Sequence, residues 1–516
     1  MRPLDGFERA HSHEGGFMSR WNRMLAAGAL IAATALTPVA SAFAADKPAD
    51  DAGARVIADF LSAYLGKAAL PTIKITPSGS SYLVSVDLAA VTQTLKGAGI
   101  VYDPVTLQFK VAQQDDGGWR VEADKVPPIS GAVTPPAGQP GGKANVRVET
   151  TNLTQSALID PKLGWLAWTR GGADKVSLTE RGPGVEEFIE FGGLKFDGST
   201  KTGASGLTTT VNETLNSLNF VMDADPKGVD PATGGPRKPV HVSAQGGAGA
   251  VDVSLAHFQP APLLDAWRFA VAHPTRADYA RDFEALKPIL TALTADHLTA
   301  SESLKLDKLD VMTEVGPVAI EGATVAVGLV NNGAATGVSQ HFAARSIKLP
   351  EGLAPAIYAP VIPTSFDIGF NAHGFDVEGA VQEWLADAKL AGDGPPLSEA
   401  DRAKVSAKFA RSRPVVIDIQ PSRIEGPSLD LAFQGQVTID QSKPVGSITI
   451  TLRNFDKTTK AVEGLGENAA QKLTPVMVMA KGLSKPGPDG ALVWVCSLGA
   501  DHVMKVNGLP LGKAPF

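Results

Sequence analysis

The chain has 516 residues, 44% hydrophobic and 20% charged, with 47 Lys and Arg against 54 Asp and Glu for a net charge of −7. Interspersed charge of this sign is not built for phosphate backbones, so nucleic acid is not an expected partner. Cys496 is the only cysteine, which excludes an intrachain disulfide and leaves stability to the core.

The first element in chain order is "MSRWNRMLAAGALIAATALTPVASAFAAD", residues 18 to 46. Arg20 and Arg23 give a positive start, Met24 to Pro38 is an apolar run, and Ala42-Phe43-Ala44 before Ala45 is an A-x-A cleavage pattern. Together these read as a secretory signal peptide that delivers the protein to the periplasm. The alternative is an uncleaved inner-membrane anchor, because residues 24 to 45 carry no charge and a span needs about 20 apolar residues. Pro38 and the diluting Ala, Thr and Ser favour cleavage. Residues 1 to 17 carry Asp5, Glu8 and Glu14, out of place in a positive start, and read as an extended or artefactual N-terminus with Met18 as the start. No Cys sits at the cleavage point for a lipid tether, and Arg20 and Arg23 are not adjacent, as the twin-arginine route requires. Cleavage after Ala44 leaves 472 residues with a net charge of −8, because the lost segment carries four Arg against three acids. That length suits two or more domains at about 150 residues each.

Next, "DDAGARVIADFLSAYLGK" places Val56, Ile57, Phe60, Leu61 and Tyr64 at helical spacing behind Asp50 and Asp51, an amphipathic opening helix. Strand-like alternation then dominates, as in "VTLQFKVAQQDDGGWRVEA", where Asp115 to Gly118 supplies a turn. Residues 126–143 and 223–239 are rich in Pro and Gly and read as long exposed loops or linkers. An alternating strand, a short polar-aromatic connector and a helix recur at 82–97, 251–273, 366–388 and 448–466. Faces such as Phe366, Ile368 and Phe370 predict half-buried antiparallel strands, and Val377, Val381, Trp384 and Leu385 switch to helical spacing. The uneven separation of the copies excludes a fixed-period solenoid.

Two further helices are expected: one over 276–298, with Thr275 and Asp278 as capping pair and a kink at Pro288, and one from Ser398 that stops before Pro414. The clearest hairpin runs from Ser428 to Phe455, with a turn at Asp440 to Gly446 and a bulge or bend at Gly435. The expected fold class is α+β: long antiparallel curved sheets with helices packed on one face, in repeated strand-connector-helix units. An N-terminal α+β domain is placed at 45–245 and a C-terminal one at 246–516.

No H-E-x-x-H, C-x-x-C, P-loop or G-x-S-x-G pattern is present. "GGAGAV", residues 246 to 251, leads into a strand and so does not cradle phosphate. Asp115 and Asp116 read as turn residues rather than an acid/base pair, and Glu186, Glu187 and Glu190 as a solvated patch rather than glycosidase carboxylates. Asp223, Asp225 and Gly228 fit the first half of a calcium loop, but Lys227 and Gly234 stand where ligands should be. His241, His257, His273, His297, His341, His373 and His502 form no short metal-ligand pair. His257 and His373 lie in the repeat's connector, where the other copies carry Asp87 and Asn454, a pattern of helix capping and hydrophobic staple. Cys496 alternates with Leu492, Trp494 and Leu498 on one strand face and reads as a small buried hydrophobe rather than a nucleophile paired with His502. The sequons at Asn152 and Asn212 are chance matches behind a bacterial-looking signal. No catalytic, cofactor or metal residue is nominated.

"DGALVWVCSLGADHVMKVNGLPLGKAPF" at the C-terminus resembles the closing segment of an alphaproteobacterial periplasmic family of unknown function. "VIPTSFDIGFNAHGFDVEGAV" resembles an internal segment of the same group, which is distantly similar to the AsmA-like envelope proteins. The resemblance covers much of residues 250 to 516. It implies elongated curved sheets whose apolar inner face handles lipid in outer-membrane maintenance. AsmA-like proteins are commonly membrane-anchored, and a cleavable signal departs from that pattern. The expectation is a non-enzymatic exported protein that binds lipid or another apolar ligand in envelope biogenesis, with envelope proteins as further partners. The alternatives are a periplasmic scaffold with no ligand groove and a secreted hydrolase with a dispersed site.

Overall fold

The structure, a computed structural model, describes residues 47–89, 91, 99–123, 125–134, 142–225, 239–273, 275–295, 297–332, 335–390, 396–411, 413–440 and 443–513. Ala42, Ala44 and Ala45 of the signal reading and residues 226–238 of the calcium-loop reading lie outside these. The chain is mostly one large antiparallel sheet, 54% strand and 25% helix, with 27 strands and eight helices among the described residues. It divides into two compact units, one of Met1–Thr202, Val211–Ser243 and Leu263–Leu286, the other of Gly203–Thr210, Ala244–Pro262 and Lys287–Phe516.

The first unit opens with helix α1 (Asp51–Leu65), capped by Asp50, whose Oδ1 accepts from Gly53 N at 2.7 Å. Strands β1 (Ile73–Ser78), β2 (Ser81–Asp87), β3 (Ile100–Tyr102), β4 (Thr106–Gln113) and β5 (Trp119–Ala123) follow. After them come β6 (Ile129–Val133), β7 (Ala144–Thr151), β8 (Thr154–Asp160), β9 (Trp165–Gly182) and β10 (Val185–Gly203). The order β1–β2–β4–β5–β8 ends on the first half of β9, whose second half takes β7, then β6 and β3. Asp115 and Asp116 make the β4–β5 turn, where Asp116 Oδ1 accepts from Gly118 N. Ile57 of α1 is buried against Tyr82, Val84, Val86, Val111 and Val121. Strands β11 (Gly206–Leu215), β12 (Ser217–Ala224) and β13 (Val240–Gly246) lead toward the second unit's ladder.

That ladder begins with β14 (Gly249–Phe258), which runs into helices α2 (Pro260–Ala272), α3 (Arg276–Arg281) and α4 (Phe283–Ala295). The helix expected over 276–298 is therefore broken at Asp282, with Pro288 inside its second piece. The chain returns as β15 (His297–Leu306), a short hairpin of β16 (Leu309–Thr313) and β17 (Gly316–Ile320), then β18 (Gly322–Asn332), β19 (Thr336–Arg345) and β20 (Ser365–Phe375). Helices α5 (Val377–Asp387) and α6 (Glu399–Arg411) precede β21 (Val415–Glu425), β22 (Asp430–Asp440) and β23 (Lys443–Arg453). Helices α7 (Phe455–Glu463) and α8 (Glu467–Leu483) precede β24 (Lys485–Pro486), β25 (Leu492–Leu498), β26 (Val503–Val506) and β27 (Leu509–Lys513). The bulge lies in β21, between Ile419 and Ser422, not at Gly435. A Cβ on Gly435 would sit 2.3 Å from the Ser447 carbonyl oxygen, so this glycine allows a close approach of two strands.

The expected α+β class, with helices packed on one sheet face, is overturned by this strand-dominated architecture. The reason is dimensional. An 11-residue strand such as β20 spans about 36 Å at about 3.3 Å per residue, whereas the 11-residue helix α5 covers about 16 Å at 1.5 Å per residue. The connectors are also short: Asp376 alone separates β20 from α5, capping it through Gly379 N at 2.7 Å. Asn454 alone separates β23 from α7. Each helix is thereby held at a strand end.

Candidate functional site

Register assigns the faces of the second unit's sheet. Across the nine strands β14, β15, β18 to β23 and β25, Leu255 lies opposite Ala300, then Leu329, Val338, Ala372, Ile417, Val437, Gly446 and Leu498. Directly paired residues point to one side, so this row is apolar across all nine strands. Two residues along, Val253, Glu302, Val327, Gln340, Phe370, Ile419, Gly435, Ile448 and Cys496 form the next row on the same side. Val251, Leu304, Val325, Phe342 and Ile368 continue a third. Glu302 is the single acid among them.

The intervening row is wholly different: Ser254, Ser301, Gly328, Ser339, Asn371, Asp418, Gln436, Ser447 and Ser497. This opposite side carries His341 with Asp367 at 2.7 Å and His373 with Asp418 at 3.1 Å, and Gln436 Nε2 donates to Asp418 Oδ1 at 2.7 Å. Its His341, His373, Asp418 and Gln436 are partnered across strands. The sheet is amphipathic across its breadth.

A one-sided sheet requires a cover, and the cover here is partial. At one end Asn331 Nδ2 donates to the Thr294 carbonyl of α4 at 3.1 Å. At the other, Trp494 Nε1 donates to the Ala480 carbonyl of α8 at 2.7 Å, over a buried cluster of Leu452, Phe455, Trp494 and Val506. Between these ends Val253, Val325 and Val338 are 36%, 43% and 38% exposed. Phe342, Ile368, Phe370, Ile417 and Ile419 are only half-buried. Fully burying each such side chain is worth about 1.5–3 kcal/mol, so this side of the sheet is the candidate for a binding surface.

No family model, curated protein or solved structure matches this chain. The assignment of a site therefore rests on its own residues.

The acids and histidines considered for chemistry are dispersed. Glu186 pairs with Arg181 at 2.7 Å and Glu190 with Lys175 at 2.9 Å, cross-strand ion pairs on exposed β-ribbon. Asp223 of the calcium-loop reading meets His241 Nδ1 at 2.6 Å. His257 Nδ1 meets Ser205 Oγ at 2.6 Å, at a positive φ of 60°. His373 sits inside β20, and Asp376 rather than His373 caps the following helix. Asn454 stands at the start of α7 without a side-chain capping bond. Among the described residues no histidine joins a hydroxyl and a carboxylate, and no group of three His, Cys, Asp or Glu is placed to hold a metal ion. Burial pushes the Cys496 thiol above its usual pKa, which leaves it less nucleophilic. No helix among the described residues is long and apolar enough to cross a membrane.

Sequence reasoning missed Val253, Val325 and Val338 as site residues. The signal was present in "GATVAVGLVNN", where Ala323, Val325, Val327 and Leu329 alternate with Thr324, Ala326 and Gly328. What alternation omits is the order of strand pairing, which turns separate stripes into one surface.

Proposed function

We propose that this chain is a non-enzymatic bacterial envelope protein, exported to the periplasm by residues 18–44, that binds a lipid or another apolar ligand on the apolar sheet face of its second unit. One observation carries the reading: an apolar row crosses nine paired strands, and on the same side Val253, Val325 and Val338 remain 36%, 43% and 38% exposed. An acyl chain laid along the row from Leu255 to Leu498 replaces water on apolar side chains only, while Glu302 and Gln340 of the next row stay beside it at the solvent. The resemblance of much of residues 250–516 to a periplasmic family of unknown function, itself distantly similar to AsmA-like proteins, supports lipid as the ligand class and envelope proteins as partners. The non-enzymatic half of the reading comes from the sequence, which offers no nucleophile paired with a base.

The test is native mass spectrometry and lipid extraction of the mature protein purified from its own envelope. Stoichiometric co-purifying phospholipid is the expected result. Lipid-free protein that takes up no phospholipid from vesicles would overturn the reading in favour of a scaffold.

A further inference from the structure

We infer that the first unit carries a separate binding site, for a small carboxylate amphiphile of the medium-chain fatty acid kind, in the cavity between α1 and strands β4, β5 and β8. This goes beyond the ligand reading of the second unit and does not rest on it. The cavity has a volume of about 140 Å³, close to the roughly 150 Å³ at which an apolar hole takes up benzene. Val56, Phe60 and Leu61 line it from the helix, and Phe109, Trp119 and Ile159 from the strands.

The cavity follows from how α1 is tied down. At its start the Tyr82 hydroxyl accepts from Asp50 N at 3.1 Å, and near its end Trp267 Nε1 donates to the Tyr64 carbonyl at 2.9 Å. Between the ties only Ile57 is buried, while Val56 and Phe60 stay 52% and 41% exposed. The helix is therefore held at both ends above a floor that its middle does not fill.

Among the described residues Lys125 is the one charged residue lining this space, and it is exposed and forms no ion pair with the others. A single cation beside apolar walls selects a ligand with one anionic head and an apolar body. The described residues of the walls offer no second cation for a doubly charged head, which favours a monocarboxylate.

Isothermal titration of the full chain with sodium octanoate, with octanol as the neutral control, tests the assignment. Octanoate is expected to bind at one site and octanol about threefold more weakly. Lys125→Glu should weaken octanoate at least about threefold and leave octanol unchanged. Val56→Trp, at a position exposed enough to spare the fold, should remove binding of both. Val325→Lys, on the second unit's sheet, should leave octanoate binding intact, which separates this site from the lipid reading. The assignment is overturned if octanoate does not bind, if octanol binds as well as octanoate, or if Lys125→Glu and Val56→Trp both bind like the parent.

Discussion

Tyr82 shows how one side chain fixes both a helix and its sequence. It is 2% exposed, and its hydroxyl accepts from Asp50 N at 3.1 Å. A Cβ on Gly53 would fall 2.0 Å from that same oxygen, so a glycine is needed in the first turn of α1. Tyr82→Phe leaves the Asp50 amide without its partner and should cost about 1 kcal/mol in urea denaturation; an unchanged midpoint would show that water replaces the bond. At the start of α6, Ser398 Oγ donates to Asp401 Oδ2 at 2.6 Å and accepts from Asp401 N at 3.1 Å. The Ser398 hydroxyl, followed by Lys404, holds the Asp401 carboxyl at a pKa of about 2, below its usual 3.8. Because the folded pKa is the lower one, the stabilisation is complete above about pH 4 and fades as pH falls toward 2. Carboxyl NMR should show Asp401 titrating near 2 and moving upward in Ser398→Ala. A midpoint that stays put in the variant would remove the hydroxyl as the cause.

Elements differ in how far their own residues specify them. The caps at Asp50, Thr275 with Asp278, and Ser398 with Asp401 are local, and the helices start beside them. The turn of the Ser428 to Phe455 hairpin is tighter than the Asp440 to Gly446 span suggests, because Lys443 already pairs with Asp440. The placement of helices is not local. Alternation in β22 and β23 declares one apolar face, but what covers it depends on the reach of α7 and α8 and on which strands lie alongside. Trp494 is where that long-range choice is made, since its indole nitrogen holds the Ala480 carbonyl and its ring packs beside Phe455 at 6.5 Å. Trp494→Ala should cost about 3–5 kcal/mol and release α8, read as faster amide exchange over 471–483 than over β14 and β15. Uniform exchange across both regions would mean that α8 is held by other contacts.

At the scale of the whole molecule, the two faces of the second unit's sheet ask for different surroundings. The row from Ser254 to Ser497 is content in water, while the row from Leu255 to Leu498 is not. If the uncovered rows take an apolar ligand, charge placed on them must cost affinity without costing the fold, because Val325 and Val338 are already 43% and 38% exposed. Val325→Lys with Val338→Lys should therefore keep the far-ultraviolet spectrum of the parent. It should also lower phospholipid uptake at least about tenfold, since each lysine forfeits the roughly 1.5–3 kcal/mol of burying a valine. The matched control is Ser254→Lys with Ser339→Lys, which adds the same charge on the polar side of the same sheet. Equal loss in the two double variants would assign the effect to net charge. Loss confined to the valine pair would place the ligand on the apolar rows.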